Sequence, residues 1–454
     1  MSEPIPPIES AVRPAAGPPA TGSVFGFHGW RAFRHRNYRL FFGGQAISLV
    51  GTWMQQVAQG WLVLQLTGDP FALGLVAAAQ FTPVLVLGLF GGLVADQLPK
   101  RRVLIVTQAV AMVLAFALFG LTASGHAQVW QVLVLAVALG ASNAIDMPVR
   151  QAFAVEMVGR DDVVNAVGLN SALFNASRIL GPALAGLTIG AFDISIAFLI
   201  NGLSFMAVIV GYWFMRDEDL RPAPRMDRPE SIDDVIEALA EGLRYVRATP
   251  IVFLAVTVVG LAATFGMNSS VLAPPLAQGV LHSDASGFGF LMSAAGVGSL
   301  IAALRVAFGA RSRPGAMAWG SVLLGVAGIV LGFSRSFPLS LVAMFALGYG
   351  MIAMAATANT TIQLTVPDRL RGRVMSVYTT VFAGSTPIGG LILGAVASQF
   401  GVPIAYIAGG IITVVIGVWA AAWLRSMPAS ALRPRTARLP SGSEPSGLTI
   451  ARPR

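Results

Sequence analysis

Cysteine is absent from this 454-residue chain, which excludes a disulfide framework, thiol catalysis and thiolate metal sites. Charge is scarce: Asp, Glu, Lys and Arg make up 11% of the residues, against about 25% in soluble domains. Lys100 is the only lysine and no G-x-x-x-x-G-K-[ST] loop exists, so the chain is not expected to hydrolyse ATP. Its four histidines, at 28, 35, 126 and 282, fall in tails or outer loops, and no nucleophile stands near a plausible base. The reading is therefore of no enzyme, no metal site and no cofactor. Residues 1–30 hold many prolines and no apolar core of signal-peptide length, so the first membrane span is expected to act as its own targeting signal.

What the chain has in abundance is apolar residues, 55% of the total, with a mean hydropathy of +0.72. Uncharged runs of about 18 residues or more cross a hydrocarbon core roughly 30 Å thick. Twelve such spans are expected, at 38–66, 71–95, 103–124, 128–149, 163–191, 194–215, 250–280, 285–309, 315–333, 338–360, 370–399 and 402–424. The fold class is an all-α polytopic membrane protein of two pseudo-symmetric six-helix halves. Of the 30 cations, only Arg335 falls on the outer side and only Arg178 deep inside a span. The other basic residues mark one face, which places both termini in the cytoplasm. This loop-by-loop distribution also explains the net charge of +9 without nucleic acid.

The expected organisation is a tail over 1–30, a six-helix half over 31–215, a linker over 216–249, a second half over 250–425 and a basic tail over 426–454. Both tails, rich in Pro, Ala, Ser and Arg, read as disordered. Within the linker, Ile232, Val235, Ile236, Leu239, Leu243 and Val246 share a helical face, and Ser231 with Asp234 resembles a capping box. That pattern suits a helix lying on the membrane surface. A shift of 208 residues lays 158–186 over 366–394 without a gap, matching Ser177 to Ser385, Gly181 to Gly389 and Gly186 to Gly394. Two duplicated halves around a midplane cavity form an alternating-access architecture.

Between the second and third spans, GGLVADQLPKRR at 91–102 resembles the loop signature of the major facilitator superfamily. Gly92, Asp96, Lys100 and Arg101 match it, while Gln97 and Pro99 depart from it. The resemblance implies a latch that holds the halves together on one side and then releases. A positive-inside loop with an incidental aspartate is the alternative. Gly168, Ser177, Gly181, Pro182, Ala185 and Gly186 resemble the fifth-span motif of drug-proton antiporters, with serine and alanine at two glycine positions. Small residues at such spacing give a ridge against which another helix slides or seals. GTWMQQVAQGWLVLQLTGDPFALGLVAAAQF, NAIDMPVRQAF and LNSALFNASRILGPALAG resemble the enterobactin-exporter and macrolide-efflux branch of that superfamily, from about residue 33 to 425.

On the first span Gln45, Ser48, Thr52, Gln55 and Gln59 follow a 3-4-3-4 spacing along one face, which is expected to border a watery cavity or another helix. Asn143, Asn175, Asn268 and Asn359 add polar groups on other spans. Asp146, with Arg150 one turn on, is the one acidic residue expected inside a span. Resemblance to the family implies that it joins the loop charge cluster in gating; a proton site is the other role. Arg178 must face the protein interior, and Pro182 deprives its carbonyl of a helical partner. Contact with an anionic or catechol-rich ligand and a helix clamp both fit it. The expected function is a proton-coupled exporter of an amphipathic small molecule, a drug or siderophore, working as a monomer in the bacterial inner membrane. An importer or lipid-translocating relative, or a non-transporting receptor or scaffold, is the alternative.

Overall fold

In the computed structural model, residues 27–221, 232–308 and 314–427 are described; the side chains of 27–29, 89–97 and 232–236 are not. A short 3-10 segment, Phe27–Arg34, precedes α1 (Arg36–Thr67), α2 (Pro70–Gln97), α3 (Lys100–Ala123), α4 (Val129–Val158), α5 (Val163–Ala191) and α6 (Ile194–Trp213). The connecting helix is α7 (Ile232–Ala248). The second half comprises α8 (Pro250–Gly266), α9 (Ser269–Pro275), α10 (Ala285–Phe308), α11 (Gly315–Phe333), α12 (Phe337–Thr365), α13 (Asp368–Phe400) and α14 (Val402–Ser426).

Among the described residues, eleven helical segments are long and apolar enough to cross a membrane, α8 and α9 counting together as Pro250–Val280. The twelfth span is α1, whose row of amides keeps it below the apolarity of the rest. Its amides are tolerable because they face protein: Gln45, Ser48, Gln55 and Gln59 are all buried. Thr52 is exposed on the same face and donates back to the Ser48 carbonyl at 2.9 Å.

The seventh span is not one straight helix. It breaks at Met267 and Asn268 between α8 and α9, and Pro274 and Pro275 lead into a single π turn over Leu276–Val280. Each proline removes an amide donor from the helical ladder, so the backbone there cannot keep regular α geometry. Asn268 stays local, donating to the Thr264 carbonyl at 2.6 Å. It borders a small void inside the second half with Leu347 and Tyr406.

The repeat visible in the sequence is also a repeat of contacts. Gly181 of α5 lies against Val50 and Trp53 of α1, and Gly389 of α13 lies against Thr264 of α8. Gly186 packs on Ala285 and Ser286 of α10, while Gly394 packs on Pro70 and Phe71 of α2. Ser177 and Ser385 are both buried. Each half thus lends its fifth helix to the second helix of the other half. The linker helix α7 sits beside α13, with Val246 buried and Leu239 partly buried, and Glu241 forms an ion pair with Arg373. Ser231 and the side chain of Asp234 lie outside the described residues.

Candidate functional site

The two halves touch at one end and part at the other. The contacts run along α5 with α10 and α2 with α13, all toward the end that lacks the basic loops. Ser293 donates to the Ile179 carbonyl at 2.7 Å, and Ser286 to the Gly186 carbonyl at 3.2 Å. Pro182 O meets Gly289, Gly74 meets Gly390 O, and the rings of Trp61 and Phe288 stack at 6.0 Å. A side chain at these glycines would hold the backbones apart, which is why the seal uses them.

At the basic end a cavity of about 1000 Å³ opens between the halves. Phe41 and Gln45 of α1, Arg150 and Gln151 of α4, and Asn170, Phe174 and Asn175 of α5 form one wall; Asn359 and Gln363 of α12 form the other. A deeper pocket of about 290 Å³ adjoins it, sharing Leu49, Met147, Arg150 and Phe174 with the outer cavity. Gln55, Gln59, Asn143 and Asp146 line this inner pocket. Five of the sequence-derived cavity residues, Gln55, Gln59, Asn143, Asn175 and Asn359, therefore converge on connected space, whereas Asn268 serves the break in the seventh span.

Asp146 is held inside the wall. Its Oδ1 accepts from Thr107 Oγ1 and Gln108 Nε2 of α3, both at 2.9 Å, and its Oδ2 pairs with Arg150 Nη2 at 3.2 Å. Arg150 also donates to Gln45 Oε1 at 3.0 Å. The carboxylate side chain is 4% exposed and the guanidinium 28%, so the pair presents its positive end to the cavity. Gln45 Nε2 is buried without a hydrogen-bond partner. The loop cations look elsewhere. Lys100 pairs with Glu156 at 2.7 Å, and Glu156 proves to lie inside α4. Arg101 donates to the Tyr212 and Trp213 carbonyls at the end of α6 and to Asp217 at 2.7 Å. Gly92 and Asp96 fall in the last turns of α2, where side chains are outside the described residues.

Arg178 stands where the halves meet, one turn beyond Phe174 and Asn175 on α5, and is not itself among the residues lining either pocket. Its guanidinium lies 5.8 Å from the Trp53 ring centroid and donates to Met351 Sδ of α12 at 3.7 Å. Its carbonyl, freed by Pro182, faces Gly296 of α10. No described carboxylate pairs with it. Ser177 is wholly buried with its hydroxyl unpartnered, and Gly168 has open space before it.

Sequence reasoning missed two groups. Asn201 of α6 donates to Gln55 Oε1 at 2.7 Å and anchors the polar face of α1. Thr107 and Gln108 hold Asp146; their signal was a polar pair in an otherwise apolar span.

The chain matches the model of the transmembrane secretion effector family over residues 27–441, nearly its whole length. It belongs to that family of the major facilitator superfamily. It is 30% identical over 371 residues to the multidrug efflux pump Tap of Mycolicibacterium fortuitum, covering 80% of this chain and 89% of that protein. Identity to the staphyloferrin A transporter of Staphylococcus aureus is 26% over 392 residues, covering 83% and 94%. The crystal structure of the nucleoside transporter NupG (a mutant form) has the same fold, with a TM-score of 0.71 at 12% identity, covering 86% of this chain and 99% of that one. The protein is a multi-pass membrane transporter of the major facilitator type, not an enzyme.

Proposed function

We propose that this protein is a secondary active exporter of an amphipathic small molecule, driven by protons and working by alternating access. One observation carries the reading: a cavity between the halves opens at the basic end and is sealed at the other by two symmetric helix pairs. The basic loops belong on the cytoplasmic side of the bacterial inner membrane, so both termini are cytoplasmic and this state is inward-facing, ready to load. Phe41, Phe174 and Leu49 give the cavity apolar surface, and its amides give directional hydrogen bonds, as an amphipathic cargo requires. The likeness to a multidrug efflux pump and a siderophore transporter supports export of such molecules.

The coupling group is Asp146. Protonation would remove the counter-charge of Arg150 and weaken the acceptor for Thr107 and Gln108. The released guanidinium could then rearrange in the cavity, tying the protonation state to the shape of the binding surface. Lys100 and Arg101 act outside this step, bracing the cytoplasmic ends of the helices. The transporter works as a monomer, since each half supplies the other's seal.

The test is flux in proteoliposomes of known orientation. Under an imposed pH gradient, efflux-pump substrates and iron chelators are expected to move from the basic-loop side to the other, against the proton flow. Movement only down the cargo's own gradient, indifferent to pH, would refute the coupling.

A further inference from the structure

Next to the cavity the guanidinium of Arg178 has no described carboxylate to compensate it, and this bears on what the protein takes. Resting on the export reading above, we propose that the cargo is an amphipathic organic anion whose apolar body lies against Trp53 and Phe174 of the inner pocket and whose acidic group reaches the adjoining guanidinium of Arg178.

Arg178 is short of acceptors. A guanidinium has five N–H donors, yet among the described residues this one donates only to a thioether, Met351 Sδ, at 3.7 Å. Sulfur is a weak acceptor, and the ring of Trp53 at 5.8 Å offers a face rather than a lone pair. An arginine inside a membrane protein normally pairs with an acid or with carbonyls. Here the residue is partly exposed and most donors of its planar fork have no partner among the described residues, which suits a carboxylate or similar oxyanion held by two parallel hydrogen bonds.

Negative charge in the pockets is already satisfied. Asp146 is the one carboxylate among the described lining of the two connected pockets, and Arg150, Thr107 and Gln108 already occupy its oxygens. A lipophilic cation would find no free acid there, and the exposed end of the Asp146–Arg150 pair would repel it. The remaining polar lining is amide, which discriminates by hydrogen bonding and not by charge.

Arg178 also follows the aromatic wall of the pockets. Phe174 lines both pockets and meets Trp53 edge-to-face at 5.7 Å, and Arg178 follows one turn later on α5. An aromatic or aliphatic body lying on these rings would point its acidic end at the guanidinium. Because Arg178 joins α1 and α5 to Met351 of the opposite half, an anion bound there would touch the junction that must change during transport.

The experiment uses the full-length protein, purified in detergent, with two aromatic carboxylates, fluorescein and naphthalene-2-carboxylate, and with ethidium as the opposite charge. Equilibrium binding is measured for wild type, R178Q and R178K, each checked for monodispersity. The expected results are saturable carboxylate binding by wild type, about tenfold or greater loss in R178Q, a smaller loss in R178K, and weaker binding of ethidium than of either carboxylate by wild type. If R178Q does not fold, R178K decides, because its point charge lacks the fork; unchanged carboxylate affinity in it overturns the proposal. So do unchanged affinity in a folded R178Q, failure of wild type to bind either carboxylate, and preference for ethidium. Flux assays on the same protein separate the two readings. Arg178-dependent binding without net transport defeats export and leaves the anion site standing, whereas vectorial ethidium export unaffected by R178Q does the reverse.

Discussion

Asp146 and Arg150 sit one turn apart on α4 and form an ion pair at 3.2 Å whose ends see different surroundings. The carboxylate is buried against α3, while the guanidinium reaches the cavity surface. A buried charge loses much of its support when its partner is removed, so the two residues should behave as one unit. Asp146→Asn keeps hydrogen bonds to Thr107 and Gln108 possible but fixes the neutral state. The expected outcome is loss of pH-driven accumulation with exchange of cargo down its gradient retained. Uphill transport at the wild-type level in proteoliposomes would remove Asp146 from coupling.

The glycines of α5 predict opposite conformational biases. Gly186 is pressed against α10, its would-be Cβ 2.7 Å from the Ala285 carbonyl, whereas Gly168 faces open space in this state. Gly186→Leu should break the seal at the far end, an overpacking cost of about 1–3 kcal/mol. That shifts the two-state balance roughly 5- to 150-fold away from the state described here. Gly168→Leu should instead favour it, by obstructing closure at the basic end. Spin-label distances across each end report both, and the absence of native cysteine makes site-specific labelling direct.

Arg101 is expected to matter for stability before transport. Its guanidinium caps two carbonyls at the end of α6 and also holds Asp217. Cations at a helix C-terminus complement its dipole. Arg101→Ala should lower stability by about 1–3 kcal/mol, read as an earlier thermal transition in detergent. Arg101→Lys should recover only part of it, because one nitrogen cannot reach the three acceptors that Nε, Nη1 and Nη2 serve separately.

At the other end, Asp193 caps α6, accepting from the Ser195 amide at 2.8 Å. The hydrogen bonds from Ser195 hold its carboxyl below the usual carboxylate range. A depressed folded-state value means this contribution is present above the ordinary carboxylate range and is lost as pH falls through the lowered value. Asp193→Ala should cost about 1 kcal/mol at neutral pH, and the difference from wild type should shrink in strong acid. A difference that grows on acidification would contradict the assignment.

Spans and duplication were legible because they rest on patterns the bilayer itself enforces: uncharged length, cation sidedness and small residues at a fixed offset. Gly181 with Gly389 and Gly186 with Gly394 could be paired from the sequence since close helix crossings admit few residue types. The break at Asn268 was not legible, because hydropathy averages over 250–280 and cannot register a kink. Nor were the partners of Asp146. Thr107 and Gln108 reach it only through the rotation of α3 about its own axis, which is fixed by packing with α4 and α6. The acceptor of Arg178 is a methionine on the opposite half, and no spacing rule joins 178 to 351. Asn201 gave too little signal to single out among the apolar residues of α6, although it completes the polar face of α1.

The polar face of α1 also has a history within each molecule's synthesis. Gln55 takes its hydrogen bond from Asn201, 146 residues later, and Gln45 takes one from Arg150, 105 residues later. At about 5–20 residues per second, the first span emerges roughly 7–30 s before Asn201 exists to meet it. During that interval its amides face either water or hydrocarbon, and hydrocarbon is costly. The first helix to be made therefore meets these two partners only after α4 and α6 have followed it.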